Sequence, residues 1–195
     1  MSQKLTTSKV RLSYVNVFKP KETKQGDLKY SVTCLLPKSD VKGYKMLMDT
    51  INAEFEAEKN GKLKGIASPK NPVHDGDGVS PTGKAYGDEC KGHWVFTASA
   101  SSDYPPTIVD RTVQPIINPT ELYSGCYGHV ALSIYAYNTG STGIGFGLNG
   151  IQKVEDGEAL GHSFNAEDAF SAVADNSSDT PFGNSDIDPL TGLPR

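Results

Sequence analysis

Apolar residues alternate with polar or aromatic ones through residues 127–137. Successive side chains of a β-strand leave opposite faces of the sheet, so this pattern predicts a long strand. Its core-facing positions are Val130, Leu132, Ile134 and Ala136. The Gly/Asn/Ser/Thr composition of residues 138–143 predicts a hairpin turn, and residues 144–154 predict the returning strand. Glycines alternate on the outer face of that strand, where another backbone or a flat ligand could approach.

Three earlier segments show the same period of two, at residues 8–18, 28–36 and 92–101. In the first of these, Val10 and Leu12 share a phase with Tyr14, and Val15 and Val17 then occupy the opposite phase. A change of phase within one strand predicts a β-bulge or a sharp bend near Tyr14.

One segment has helical periodicity instead. Its apolar positions, three or four residues apart, are Val41, Tyr44, Met48, Ile51 and Phe55. Ser39 or Asp40 is suited to cap its start, and Gly61 stops it after about Asn60. We expect this helix to plug a barrel or to pack on its side.

Five strands, with the helix after the second and long irregular segments at 61–89 and 102–124, predict an all-β fold. The best match is a five-stranded OB-fold barrel, and a β-sandwich is the alternative. Residues 1–160 form the predicted domain. Asp, Ser, Asn, Gly and Pro dominate residues 161–195, which predicts a flexible acidic tail.

Charge is divided unevenly along the 195 residues. Residues 1–154 hold 18 Lys/Arg and 14 Asp/Glu, whereas residues 155–195 hold one Arg and nine Asp/Glu. A basic body with an acidic tail is typical of polyanion binders whose tail competes for the basic surface. A tail that only aids solubility would give the same division.

Other features limit the cellular setting and the chemistry. No run of about 18 apolar residues predicts a membrane span, and the N-terminus has no apolar signal core. The three cysteines form no disulfide framework, so a cytoplasmic protein is expected. No cofactor is expected, and no residue spacing supports a catalytic assignment.

Two motifs keep alternatives open. The Cys-x-Gly-His sequences at 90–93 and 126–129 could supply four zinc ligands. However, residues three apart on a strand leave opposite faces, which favours buried cysteines and surface histidines. The second alternative is an enzyme. It would be a metal-dependent nuclease or phosphoryl hydrolase that uses Asp75, Asp77 and Asp88.

Aromatic and basic residues form the remaining pattern. Single-stranded nucleic acids are bound by basic grooves with rings on which bases stack. The candidate binding residues are Arg11, Lys19, Lys21, Lys24, Lys29, Tyr30, Lys91, Trp94, Tyr104, Arg111, Tyr127, Tyr135 and Tyr137. Some of these rings could instead fill the core, Trp94 among them. Tyr135 and Tyr137 oppose the aliphatic face and are therefore the better candidates for stacking.

Several motifs resemble the single-stranded DNA-binding proteins of tailed bacteriophages. They are Gly92-His93-Trp94-Val95, Tyr123-Ser124-Gly125-Cys126-Tyr127, Tyr135-Ala136-Tyr137-Asn138, residues 145–154 (Gly-Phe-Gly-Leu-Asn-Gly-Ile-Gln-Lys-Val) and Asp156-Gly157-Glu158.

The resemblance implies an OB-fold that coats and protects single-stranded DNA (ssDNA), without sequence preference, during phage replication and recombination in the host cytoplasm. It also implies an acidic tail that recruits phage DNA polymerase or other replication proteins. Such tails often end in an aromatic residue, whereas this chain ends Thr-Gly-Leu-Pro-Arg and carries Asp179–Phe182 internally. A structural phage protein with the tyrosine face as a subunit interface is a further alternative.

Overall fold

The computed structural model describes residues 2–161, which form eight strands, one α-helix and two short 3-10 turns. The strands are β1 (Gln3–Thr6), β2 (Val10–Glu22), β3 (Leu28–Pro37), β4 (His74–Asp75), β5 (His93–Ser101), β6 (Thr107–Val109), β7 (Tyr127–Tyr137) and β8 (Gly143–Glu155). The helix, α1, spans Val41–Glu58, and the 3-10 turns occupy Asp88–Cys90 and Pro119–Glu121.

Five of the strands close into a barrel. Around the ring the order is β2, β3, β5, β8 and β7, and β7 pairs with β2 again. Only the β5–β8 contact is parallel within this ring. This is the predicted OB-fold, and the chain does not form the alternative sandwich. Outside the ring, β1 extends the sheet beyond β7, β6 extends it beyond β8, and β4 pairs with the start of β5.

The barrel interior contains the residues that the alternation assigned to it. Val32 and Cys34 from β3, and Leu132 and Ile134 from β7, are at most 1% exposed. Phe96 meets Phe146 edge to face across the interior, with 5.3 Å between ring centroids. Burial of these side chains supplies the main driving force for closing the barrel.

The predicted bulge lies where the phase changes. The β2–β3 register shifts between Ser13 and Asn16, and Tyr14 has φ 47°. The extra residue lets Val10 and Leu12 before the bulge, and Val17 after it, all point inward. Tyr14 shares the sequence phase of Val10 and Leu12, but at the bulge its side chain projects outward and is 69% exposed.

Helix α1 packs on the side of the barrel against β1 and β7. Asp40 caps it by accepting a hydrogen bond from the Gly43 N–H at 2.9 Å, as predicted. Val41 was expected on the packed face but is exposed, and Leu47 is buried instead. The buried Glu54 carboxylate accepts hydrogen bonds from the backbone N–H groups of Gln3 and Ala136, which fixes the helix to two strands.

The short strands β1, β4 and β6 were not predicted, because two to four residues are too few to show a period. The first ring strand is also longer than expected, so Lys19 and Lys21 lie within β2 rather than in a loop. Apart from Gly161, the predicted acidic tail lies outside the described residues. Within residues 2–161, no helix is both long and apolar enough to cross a membrane.

Candidate nucleic-acid interface

A cleft of about 430 Å³ opens on the outer surface of β3 and β5. Thr33 and Thr97 form part of its floor, with their hydroxyl oxygens 3.1 Å apart. The segment that follows β4 forms its wall through Pro81, Ala85 and Tyr86. We call this space the outer cleft. Its floor offers hydroxyl groups and its wall offers an aromatic ring.

Tyr14 lies at the mouth of the outer cleft and was missed as a candidate binding residue. Its left-handed backbone is unusual for a residue with a side chain and costs about 1–3 kcal/mol. The Asn16 side chain holds this conformation by donating from Nδ2 to the Tyr14 carbonyl oxygen at 2.9 Å. The ring therefore projects from the barrel with most of its surface open to a stacking partner. An aromatic residue at a predicted phase change was the signal that could have identified it.

A lysine fixes the base of the cleft wall. Lys38 Nζ lies 2.5 Å from Asp75 Oδ1 and 2.6 Å from Asp77 Oδ2, and we call this the lysine clasp. Asp77 Oδ1 also accepts from the Gly92 N–H at 2.9 Å. Hydrogen bonds from Lys38 lower the pKa of both carboxyls, and the two carboxylates raise the pKa of Lys38. The clasp joins the end of β3 to the segment that lines the cleft.

This pairing bears on the nuclease alternative. Asp75 and Asp77 are engaged by Lys38, and Asp88 pairs with Lys91 at 2.6 Å. Among residues 2–161, no three His, Cys, Asp or Glu side chains are grouped as a metal site.

In the two Cys-x-Gly-His sequences, Cys90 and Cys126 are buried, and His129 Nδ1 lies 3.0 Å from the Thr7 carbonyl oxygen.

Small polar residues follow one another across the barrel exterior. The strand registers align Ser133 with Gly147, Gly147 with Ser99, Ser99 with Ser31 and Ser31 with Asn16. We call these five residues the outer row. Because none is bulky, an extended ligand could lie close to the sheet along the row.

Tyr135 and Tyr137 lie beside the outer row on β7. They face Gly145 and Gly143 across the β7–β8 ladder, and their ring centroids are 6.5 Å apart. A Cβ placed on Gly145 would lie 3.1 Å from Tyr135 Cζ, so the ring covers the glycine directly. The flat groups over these glycines are thus the protein's own rings. Burial raises the pKa of Tyr135, whose side chain is 38% exposed.

The structure brings three predicted residues together at one end of the barrel. Lys21 and Lys29 are direct cross-strand partners in the β2–β3 hairpin, and Lys29 also pairs with Ser101 on β5. Tyr104, 76% exposed, lies in the turn that follows Ser101. We call this group the basic hairpin end. Lys19 lies on the same strand and Lys24 in the connecting turn.

Arg11 and Tyr127 are neighbours elsewhere, across the β2–β7 contact. The Arg11 guanidinium carbon lies 5.8 Å from the ring centroid, and Lys9 Nζ lies 5.6 Å from it. Arg11 Nη2 donates to the Glu158 carbonyl oxygen at 2.8 Å, which ties the arginine to the segment after β8. These residues are therefore not continuous with the basic hairpin end.

The remaining candidates are dispersed. Trp94 stacks on Tyr44 with 4.4 Å between centroids and has Lys38 Nζ 4.9 Å from its ring, so it packs against the core and helix. Tyr30 is half-buried, and Lys91 pairs with Asp88. Arg111 is exposed in the turn after β6.

A closed five-stranded barrel with this strand order and an outer cleft between its strands and loops defines an OB-fold protein of the oligonucleotide-binding type. The chain matches, over residues 3–181, the family model described as the ssDNA-binding protein of Enterobacter phage Enc34. It belongs to that family.

Solved structures agree with this assignment. The ssDNA-binding protein of bacteriophage Enc34 in complex with ssDNA is 27% identical, with a TM-score of 0.67 over 81% of this chain and 89% of that one. The ssDNA-binding protein gp2.5 of bacteriophage T7 shares the fold, with a TM-score of 0.59 over 89% of this chain and 100% of that one, at 16% identity.

A sequence relative also comes from a phage. Protein p50 of Acyrthosiphon pisum secondary endosymbiont phage 1 is 29% identical over 171 residues, covering 80% of this chain and 86% of that protein. The matched family is one of ssDNA-binding proteins, and so is its solved Enc34 member, so the nuclease alternative has no counterpart there.

Proposed function

We propose that this chain binds ssDNA without sequence preference and coats it. The observation that carries the proposal is the shared fold with the Enc34 protein, which was solved in complex with ssDNA. The exposed ring of Tyr14 at the outer cleft supports it, because stacking on an aromatic ring recognises the face that every base has.

The geometry suggests how the strand is held. Bases stack on Tyr14 and reach the hydroxyl groups of Thr33 and Thr97 in the outer cleft. Phosphates are attracted to Lys21 and Lys29 at the basic hairpin end. Since only unpaired bases can stack on a protein ring, binding protects single strands and melts weak hairpins.

The biological role and the cellular location of this activity are proposed from the family resemblance. A coat on ssDNA serves phage replication and recombination, and it acts in the cytoplasm of the host cell. Support comes from the phage origin of the matched relatives and not from a residue of the site.

The acidic tail has two proposed roles, as a competitor for the basic surface and as a docking segment for phage DNA polymerase or other replication proteins. Removing residues 165–195 takes away six acidic residues and one arginine. The shortened protein should bind ssDNA more tightly at low salt, and salt should reduce the gain by screening. Equal affinities of the two forms at low salt would contradict competition.

A titration with ssDNA, duplex DNA and single-stranded RNA at two salt concentrations tests the main proposal. We expect ssDNA to be bound more tightly than the duplex. Its logarithmic affinity should fall with logarithmic salt, with a slope of about −0.7 per neutralised phosphate. Equal binding of duplex and single strand would contradict the proposal, and so would cleavage of the oligonucleotide in magnesium or manganese.

A further inference from the structure

A second groove lies on the barrel exterior, away from the outer cleft. It has a volume of about 290 Å³ and crosses β1, β7, β8 and β6. The strand registers align Thr6 with Ala131, Ala131 with Gly150 and Gly150 with Thr107 along its floor. Val109 and Val113 form an apolar wall. We call this the lateral groove.

The charge of its surroundings favours a polyanion. The four strands that form the lateral groove contain no Asp or Glu before Glu155, the last residue of β8. Lys4 is exposed on β1 opposite Ser133, and Arg111 is exposed in the turn after β6. Asp110 is the acidic residue of that turn, but its Oδ1 accepts from the N–H groups of Thr112 and Gln114 and so faces its own turn.

The lateral groove is also continuous with the candidate interface. Ser133 of the outer row lies on β7 two residues from Ala131 in the groove floor. At the other side, Tyr104 in the turn after β5 precedes Thr107 of the groove by three residues. The Ser102 N–H donates to the Leu28 carbonyl oxygen, which holds that turn against the basic hairpin end.

We propose that the lateral groove binds a second stretch of the same ssDNA strand, beyond the nucleotides held in the outer cleft. The apolar wall accepts a base face. Asn149 and Gln152 also line the groove, where Asn149 bonds to Ser133 and Gln152 Nε2 donates to the Asp110 and Arg111 carbonyl oxygens, so that Gln152 Oε1 is left as an acceptor. Arg111 and Lys4 attract the phosphates on either side. This inference rests on the proposed function and specifies how far the strand extends.

Binding is measured with oligothymidylates of about 6 and about 20 nucleotides. The short one can occupy only the outer cleft, whereas the long one can also reach the lateral groove. Ala131→Glu places a carboxylate in the groove floor, and Ala57→Glu on the exposed side of α1 is a matched control with the same charge change. We expect Ala131→Glu to weaken binding of the long oligonucleotide about tenfold, with the short one changed less than twofold. The control should match the wild-type protein at both lengths.

Two other outcomes would overturn different parts of this picture. Wild-type affinity of Ala131→Glu for the long oligonucleotide would overturn the lateral site and leave the proposed function standing. Failure of the wild-type protein to bind either length would instead overturn the proposed function.

If Ala131→Glu lowers the unfolding midpoint, its loss of binding could come from misfolding. The variant Arg111→Ala then tests the lateral site instead. It should flatten the salt slope for the long oligonucleotide by about 0.7 and leave the slope for the short one unchanged. An unchanged slope for the long oligonucleotide would overturn the proposal.

Discussion

Two outward-facing tyrosine sites on this barrel differ in what lies beneath the ring. Tyr135 covers Gly145 on the neighbouring strand and is 38% exposed, whereas Tyr14 stands on a bulge and is 69% exposed. The first ring stabilises a hairpin that would otherwise have a bare glycine face. The second ring is left uncovered by a strained backbone. An outward direction alone therefore does not identify a ring that is available to a base.

The largest expected effect concerns Tyr14. Tyr14→Ala should weaken ssDNA binding by about 1–3 kcal/mol, or roughly 5- to 150-fold, because a stacking ring is removed. Fluorescence anisotropy with a labelled oligonucleotide measures this change. Tyr14→Phe keeps the ring and should bind within about twofold of the wild-type protein.

A substitution that weakens binding at Tyr14 can nevertheless make the protein more stable. Tyr14→Gly relieves a left-handed conformation and should raise the free energy of unfolding by about 1 kcal/mol while binding is weakened. Denaturant titration measures the first quantity. A variant with both lower stability and lower affinity would show that Tyr14 is a packing residue, which would remove the contrast with Tyr135.

Charge reversal at the basic hairpin end should have the next largest effect. Lys21→Glu together with Lys29→Glu should weaken binding about tenfold and flatten the salt slope by about 0.7 for each phosphate that is no longer neutralised. Lys62→Glu with Lys64→Glu makes the same charge change in the exposed segment after α1. A flattened slope in that second pair alone would place the DNA backbone beside α1.

At Tyr135 the larger effect should be on stability. Tyr135→Ala uncovers Gly145 and should lower the free energy of unfolding by about 1 kcal/mol. Gly145→Ala should also destabilise the wild-type protein, because its Cβ would press on the ring. In the Tyr135→Ala background the same Gly145→Ala change should instead stabilise, since a strand gains from replacing glycine. Additive effects in this double-mutant cycle would contradict direct coverage of the glycine by the ring.

The smallest effect is expected at the lysine clasp, which positions the wall of the outer cleft. Lys38→Met should weaken ssDNA binding a few-fold and leave the salt slope unchanged, because Lys38 acts on Asp75 and Asp77 and not on phosphate. A flatter slope would show that Lys38 contacts DNA directly.

The clasp also has a defined pH dependence. Because the pKa of both aspartates is lowered, its contribution is complete above the ordinary carboxyl pKa of about 3.9 and is lost only as pH falls through the lowered values. Hydrogen exchange of residues 78–87, corrected for intrinsic rates, should therefore show constant protection between pH 5 and 7.

The sequence was sufficient for the barrel because its evidence is local and repeated. Alternation located the five ring strands and even the bulge at Tyr14, and the capping residue located α1. The site was harder to predict, because availability depends on partners that only folding supplies. Trp94 is engaged by Tyr44, and Arg11 is held by the Glu158 carbonyl oxygen, although both residue types suit DNA binding. The period alone could not place Tyr14, because the bulge that rotates its side chain also breaks the alternation there.

Barrel closure joins segments that are far apart in the chain. Val10 pairs with Gly128, and Arg11 pairs with Tyr127. Such non-local pairing requires a large loop to close first, and folding times of milliseconds to seconds are typical of these topologies. During synthesis at about 5–20 residues per second, β2, β3 and β5 emerge roughly 2–7 s before β7 is complete. In that interval two strand edges lack their partners and can pair with other chains. Slower translation would lengthen this vulnerable interval, so the yield of folded protein should depend on the rate at which residues 102–137 are translated.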